Sequence, residues 1–192
     1  MAGRRSQSER ADGVRARIVA AALEVIREQP VADVQLAAIA ERAGMRPGHV
    51  LYYFASRDDV LVETVRHAEA RIGEEREVAL AGVDDPLERL ERYVVQYLPD
   101  DRHDPVWKLW FEGWLRSASH DAFAAVGQAI DVRWRADLVA ALRAAGATGD
   151  VEEYAMRLNV LLDGLALHVM SSHLSAEHAA AIAVDELRRD LG

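Results

Sequence analysis

The chain has 192 residues, of which 51% are hydrophobic and 29% are charged, so it is long enough to bury a substantial core. It contains no cysteine, which excludes disulfides and thiolate metal ligands and is compatible with a cytoplasmic protein. No apolar stretch approaches the roughly 20 residues that a membrane-spanning helix needs, and the N-terminus lacks the apolar core of a secretion signal. A membrane partner is therefore not expected.

The net charge of −9 argues at first against a nucleic-acid partner, but the charge is unevenly distributed. Residues 1–66 contain ten arginines against nine acidic residues, whereas residues 67–192 contain thirteen basic and twenty-three acidic residues. Five of the arginines lie within residues 1–17. A basic N-terminal arm ahead of an acidic body indicates a local site for a polyanion, and a solvated tail is the alternative.

Almost every segment has the period of a helix and no run alternates like a strand, so the sequence predicts an all-α fold of about nine helices. A first helix runs from about Val14 to Gln29, and a short second helix ends at Gly44, where a left-handed cap costs glycine little. Pro47 is suited to the first turn of a third helix. Ser56 and Asp59 are spaced as a capping box for a fourth helix. We expect an N-terminal unit over 1–56 and a larger helical unit over 57–192.

The predicted third helix carries two different faces. Pro47, Val50, Leu51 and Phe54 form an apolar stripe, and the opposite face presents Gly48, His49, Tyr52 and Tyr53. Two short helices joined by a tight turn make a helix-turn-helix, whose second helix enters the major groove of DNA. The alternative is that these aromatic residues belong to the core.

Residues 14–62 resemble the DNA-binding domain of the tetracycline-repressor (TetR) family, through "IAERAG", "PGHVLYYF" and "SRDDVL". The resemblance implies a homodimer that binds a near-palindromic operator, a ligand-binding C-terminal domain, and repression relieved by a small-molecule effector. Gln35 and Arg46 stand where the family usually has hydroxyl residues, so operator sequence does not transfer. The candidate DNA-binding residues are Gln35, Arg46, Gly48, His49, Tyr52, Tyr53 and Arg57, the last because a helix N-terminus favours an anion.

An aromatic stripe follows Pro105, in "DPVWKLWFEGWLR". Such a stripe packs in a core or lines a ligand pocket, and aromatic faces favour flat apolar ligands or cations. Asn159 and Asp163, one helical turn apart, line the pocket, bond across a dimer interface, or form a structural polar pair. The candidate ligand-binding residues are Trp107, Trp110, Phe111, Trp114, Asn159 and Asp163.

The helix predicted from about Val151 to His173 is apolar on two sides, which is typical of a helix buried on both faces. One side packing within the chain and one across a twofold axis would explain this pattern. The candidate dimerisation residues are Tyr154, Leu158, Leu161, Leu165 and Val169. Residues 87–191 are also similar, more loosely, to the C-terminal domain of the BetI-type branch of the family, which implies a dimer through the last two helices and does not transfer choline as the ligand.

An enzyme is not expected from this sequence. No His and carboxylate set has metal-ligand spacing, and there is no glycine-rich phosphate loop or GxSxG elbow. Ser171 and Ser172 are sequence neighbours of His173, and neighbours on a helix point to different faces, so no dyad is expected. No cofactor or metal is predicted, and the alternative to a ligand-responsive repressor is a DNA-binding dimer without an effector.

Overall fold

The computed structural model describes residues 2–191, with side chains from residue 9 onward. Within that range the chain is all-α, as predicted, with one 3-10 turn at Val31–Asp33. The α-helices are α1 Ala2–Glu28, α2 Leu36–Arg42, α3 Pro47–Tyr53, α4 Arg57–Leu80, α5 Pro86–Tyr97, α6 Pro105–Ser117, α7 Asp121–Ala144, α8 Val151–Met170 and α9 Ala176–Leu191.

The helices divide into two compact units. The first contains the residues up to Ala70 together with Lys108–Gly127, and the second contains Arg71–Trp107 together with the residues from Gln128 onward. Helices α4, α6 and α7 therefore each contribute to both units. The boundary that we expected at residue 56 stays a prediction.

Helix α1 begins earlier than the apolar pattern predicts. It starts at Ala2, so the backbone of the basic arm belongs to the helix. Arginine, glutamine and glutamate have good helix propensity, and the arm has no proline, so the helix continues without an apolar face. Ile18, Ala22 and Ile26 follow the i, i+4, i+8 pattern and are wholly buried in the first unit.

The turn between α2 and α3 has the geometry predicted from Gly44. This glycine has a φ of 68°, its N–H donates to the Glu41 carbonyl at 2.9 Å, and the Met45 N–H donates to the Ala40 carbonyl at 2.9 Å. The two bonds complete a Schellman motif that ends α2 and redirects the chain. Helix α3 then begins at Pro47, with Arg46 as its N-cap.

Helix α4 is capped by Ser56, with one difference from the predicted capping box. The Asp59 N–H donates to Ser56 Oγ at 3.1 Å, as expected. The Asp59 carboxylate does not reach back to the backbone of Ser56. It accepts a hydrogen bond from the Ser56 hydroxyl at 2.9 Å instead.

The predicted apolar stripe of α3 is narrower than expected. Val50 and Phe54 are buried, but Leu51 is 48% exposed and Pro47 is exposed as well. The reason is geometric, because Val50 and Phe54 are one turn apart whereas Leu51 is rotated about 100° from Val50. The face of α3 turned away from the core is correspondingly wider.

Candidate DNA-binding surface and aromatic cluster

Helix α3 presents three rings at the surface of the first unit. Tyr52 is 80% exposed, His49 is exposed and Tyr53 is partly exposed. The Tyr53 ring lies 5.4 Å from the His49 ring and 5.1 Å from the Tyr52 ring, centroid to centroid. A Cβ at Gly48 would meet no atom of the described chain within 4 Å. These side chains form a continuous polar and aromatic surface.

Arg15 holds the carboxyl end of α3, a role that the sequence did not reveal. Its Nη1 donates to the Tyr53 carbonyl at 2.6 Å, and its guanidinium lies 4.2 Å from the centroid of the Phe54 ring. A cation at a helix C-terminus also interacts favourably with the helix dipole. Because the two partners are 38 residues apart, no local pattern could have indicated this contact.

The other predicted DNA-binding residues differ in what they already contact. Gln35 and Arg46 are exposed N-cap residues whose side chains make no capping hydrogen bond. Arg57 instead donates to the Val31 carbonyl and lies 3.5 Å from Asp58. Its guanidinium therefore supports the fold at the start of α4, and a phosphate contact by Arg57 stays a prediction.

Two side chains of α6 bond to the helices next to this surface, all within the first unit. Arg116 makes a bidentate pair with Asp58, with Nη1 to Oδ1 at 2.9 Å and Nη2 to Oδ2 at 2.7 Å. This hydrogen-bonded pair lowers the pKa of Asp58. Lys108 Nζ donates to the carbonyls of Ile26 at 2.8 Å and Arg27 at 2.9 Å, at the carboxyl end of α1.

The tryptophan stripe of α6 divides between the two units. Trp110 is buried, Trp114 is exposed, and the Phe111 ring lies 5.5 Å from the Trp114 ring, all in the first unit. Trp107 belongs to the second unit.

The second unit contains an aromatic cluster that we define as Tyr93, Tyr97, Trp107 and Trp134. The Tyr97 ring lies 4.9 Å from the Trp134 ring and 5.5 Å from the Trp107 ring, and the Tyr93 ring lies 5.3 Å from the Trp134 ring. Trp107 Nε1 donates to the Tyr97 carbonyl at 3.1 Å. The sequence pattern indicated Trp107 alone, because the other three rings come from α5 and α7.

A carboxylate lies at one edge of the cluster. The Tyr97 hydroxyl donates to Asp163 Oδ1 at 2.6 Å, and Asn159 Nδ2 donates to Asp163 Oδ2 at 3.0 Å. Burial raises the pKa of Asp163, and repulsion from Asp131 adds to the rise, whereas the two hydrogen bonds oppose it. Asn159 and Asp163 thus form the predicted polar pair, and Tyr97 joins that pair to the aromatic cluster.

The predicted dimerisation row lies mostly inside the chain. Leu158, Leu165 and Val169 are buried in the second unit, whereas Tyr154 and Leu161 are partly exposed. These two line a groove of about 640 Å³ together with Leu158, Asp150, Glu153, Arg157, Glu186 and Asp190. The exposed apolar side chains of α8 are Met156, Val160 and Leu167. A role in dimerisation for the predicted row stays a prediction.

Three further features bear on function. Among the described side chains no group of three or more His, Cys, Asp or Glu residues is placed to hold a metal ion. Ser171 Oγ does lie 2.8 Å from His173 Nδ1, contrary to our expectation, because α8 ends at Met170 and the chain turns at Ser172. The pair is exposed and Ser171 Oγ also bonds to the Leu167 carbonyl, so it belongs to the helix terminus. No helix within residues 2–191 is long and apolar enough to cross a membrane.

Comparison with known proteins gives consistent matches along the chain. Residues 18–64 match the family model of bacterial regulatory proteins of the tetR family, and residues 86–192 match that of the BetI-type transcriptional repressor C-terminal domain. The HTH-type transcriptional regulator BetI of Burkholderia ambifaria is 31% identical over 154 residues, which are 79% of each chain. BetI of Pseudomonas aeruginosa is 28% identical over 183 residues, which are 92% of each chain.

Solved structures show the same fold. A putative transcriptional regulator from Saccharomonospora viridis in complex with choline matches with a TM-score of 0.86 at 24% identity, covering 94% of this chain and 98% of that one. A TetR transcription regulator from Haloarcula marismortui matches with a TM-score of 0.80 at 19% identity, covering 94% and 97%. The chain belongs to the TetR family of DNA-binding transcriptional regulators, with a C-terminal domain of the BetI type.

Proposed function

We propose that the protein is a cytoplasmic, homodimeric repressor that binds a near-palindromic operator through α3 and is released by a small organic cation. The observation that carries the ligand class is the Asp163 carboxylate, hydrogen-bonded to Tyr97 at the edge of the aromatic cluster. Aromatic faces attract a cation through the ring quadrupole, and a nearby carboxylate adds its charge. The regulator from Saccharomonospora viridis, which has the same fold, was solved with choline, a quaternary ammonium compound of this class.

The DNA-binding part of the proposal rests on the surface of α3. Family membership supports a DNA-binding role for the helix, and the exposed His49 and Tyr52 offer hydrogen-bonding groups for base edges and phosphates. Exposed Arg46, at the N-terminus of the helix, adds a cation next to them. These side chains can bind DNA without disturbing the core, because Val50 and Phe54 anchor the helix from its other side.

The proposal of a dimer is based on the exposed apolar side chains of α8. Met156, Val160 and Leu167 recur at intervals of four and seven residues, so they share one face of the helix. An isologous contact across a twofold axis would bury this face in both copies. Two copies of α3 would then need centres about 34–36 Å apart to enter successive major grooves.

The test begins with selection of bound fragments from randomised DNA by the purified protein at near-physiological salt. We expect one near-palindromic sequence, and we expect His49→Ala to weaken binding to it by about 5- to 150-fold, the equivalent of 1–3 kcal/mol. Val78→Ala, an exposed change on α4, is the matched control and should leave the affinity unchanged.

The effector is tested by titrating choline into the complex with the selected DNA. Release that is lost in Asp163→Asn would support the cation site. An operator complex that no quaternary ammonium compound dissociates would instead favour a DNA-binding dimer without an effector. Failure to enrich any sequence with folded protein would contradict the role of α3.

A further inference from the structure

Arg76, on α4, packs against the aromatic cluster from within the second unit. Its guanidinium lies 4.3 Å from the centroid of the Trp134 ring and 4.8 Å from that of the Tyr93 ring. The residue is only 9% exposed, so this is a buried cation on two aromatic faces. Sequence reasoning missed it, because α4 carries three other arginines with nothing to distinguish this one.

The hydrogen bonds of Arg76 are incomplete. Nη2 donates to Asp137 Oδ2 at 3.3 Å. Nη1 is buried and has no acceptor among the described residues. A buried donor without an acceptor is destabilising, and more so when the group is charged. Nη1 is therefore placed to bind an acceptor that the described chain does not supply.

Trp134 connects this donor with the carboxylate of the proposed ligand site. The Trp134 ring contacts the Arg76 guanidinium and also the Tyr97 ring, whose hydroxyl bonds to Asp163. Tyr93 and Tyr97, which contact Trp134 from α5, are one helical turn apart, or roughly 5–6 Å along the axis. One aromatic cluster thus has a carboxylate at one end and a guanidinium donor at the other.

We infer that the effector is a zwitterion, with its cationic group at Asp163 and the aromatic rings and its carboxylate on Nη1 of Arg76. The inference rests on the proposed function and specifies the ligand further. A compound that is only a cation would leave Nη1 without an acceptor and would be repelled by the guanidinium. A carboxylate removes both penalties, since hydrogen bonds between charged groups are roughly twice as strong as neutral ones.

The experiment is calorimetric titration of the full-length protein with a matched series of trimethylammonium compounds. Ethyltrimethylammonium has no acceptor, choline has a hydroxyl, and three carboxylates place one, two or three methylene groups between nitrogen and carboxyl. We expect at least one carboxylate to bind about tenfold or more tightly than ethyltrimethylammonium, the equivalent of about 1.4 kcal/mol. Choline should fall between them.

Variants at three positions separate the two ends of the site. Arg76→Met should abolish the preference for carboxylates while leaving ethyltrimethylammonium affinity within about threefold. Arg76→Lys should recover part of the preference, and it serves as the test if the Met variant does not fold. Asp137→Asn is the matched control, because it alters the Nη2 partner and should keep the preference. Asp163→Asn should weaken every compound in the series.

The outcomes also separate this inference from the proposed function. Equal binding of all five compounds, unchanged in Arg76→Met, would overturn the zwitterion and leave the cation site in place. No binding by any compound, together with an operator complex that choline does not dissociate, would overturn both.

Discussion

The surface of α3 and the aromatic cluster of the second unit differ in where their aromatic rings lie. On α3 the rings of His49, Tyr52 and Tyr53 contact one another at the surface, and the helix is held by Val50 and Phe54 beneath them. In the second unit Trp107 and Trp134 are buried and their rings contact other rings. The difference shows that an aromatic stripe at helical spacing does not by itself say whether the rings lie at the surface or in the core.

Because of this difference, the surface of α3 and the aromatic cluster are suited to different kinds of partner. The major groove of a duplex is reached by side chains that project from the protein. A small cation is instead bound by rings and charges that surround it. Removing a ring of the aromatic cluster should therefore affect folding, and removing a ring from the surface of α3 should affect DNA binding.

The largest expected effect is a difference in the free energy of unfolding between two variants, one lacking a buried ring and one lacking a surface ring. Trp134→Ala deletes a buried side chain and should lower the free energy of unfolding by about 3–5 kcal/mol. Tyr52→Ala, at a position 80% exposed, should change it by less than about 0.5 kcal/mol while weakening operator binding. Urea unfolding at a matched protein concentration measures both, and similar losses in the two variants would remove the contrast.

A smaller effect is expected on ligand affinity when the pH is varied. Because burial raises the pKa of Asp163 above its ordinary value of 3.8, lowering the pH through the raised pKa neutralises the carboxylate. The affinity for ethyltrimethylammonium should then fall by up to about tenfold per pH unit, and Asp163→Asn should remove this dependence. Titration calorimetry across that range provides the measurement, and an equally steep profile in the Asn variant would exclude Asp163.

The raised pKa of Asp163 has the opposite effect on the stability of the protein without ligand. A raised pKa in the folded state means that the contribution of Asp163 to stability is fully present below 3.8 and is lost as the pH rises through the raised value. Ligand affinity and unliganded stability should therefore change in opposite directions over this range.

The smallest effect is expected on the salt dependence of operator binding, in which two arginines beside α3 should differ. Arg46→Ala removes an exposed cation and should reduce the salt dependence of operator binding by about one unit of slope. In Arg57→Ala the bond to the Val31 carbonyl is lost, so we expect reduced thermal stability with a smaller change in slope. Binding isotherms at four or more salt concentrations measure both slopes, and a full unit lost in Arg57→Ala would support the predicted phosphate contact of Arg57.

The parts of the fold that the sequence predicted are those fixed by neighbouring residues. Gly44, Pro47 and Ser56 act through bonds and dihedral angles within a few residues, so their positions indicated where α2 ends and where α3 and α4 begin. The face of α3 was predicted less well, because the exposure of Leu51 depends on how a seven-residue helix packs on the rest of the unit.

The contacts that join distant segments could not be predicted. Arg116 and Asp58 are 58 residues apart, and Tyr97 and Asp163 are 66 apart, so no spacing in the chain links either pair. Trp134 and Arg76 were missed for the same reason. Trp107 was identified from the aromatic stripe of α6, and Asn159 and Asp163 because they interrupt the apolar surface of α8. Tyr97 and the cluster between them became visible only in three dimensions.

The position of Lys108 has a consequence for chemical labelling. It is the only lysine in the sequence, and its amine is bonded to two carbonyls at the end of α1. Apart from the N-terminus, an amine-directed reagent thus has one target, and acylation would remove both bonds together with the charge. The rate of that reaction would report how often α6 separates from α1, with and without DNA, from a single modified residue in the protein as it stands.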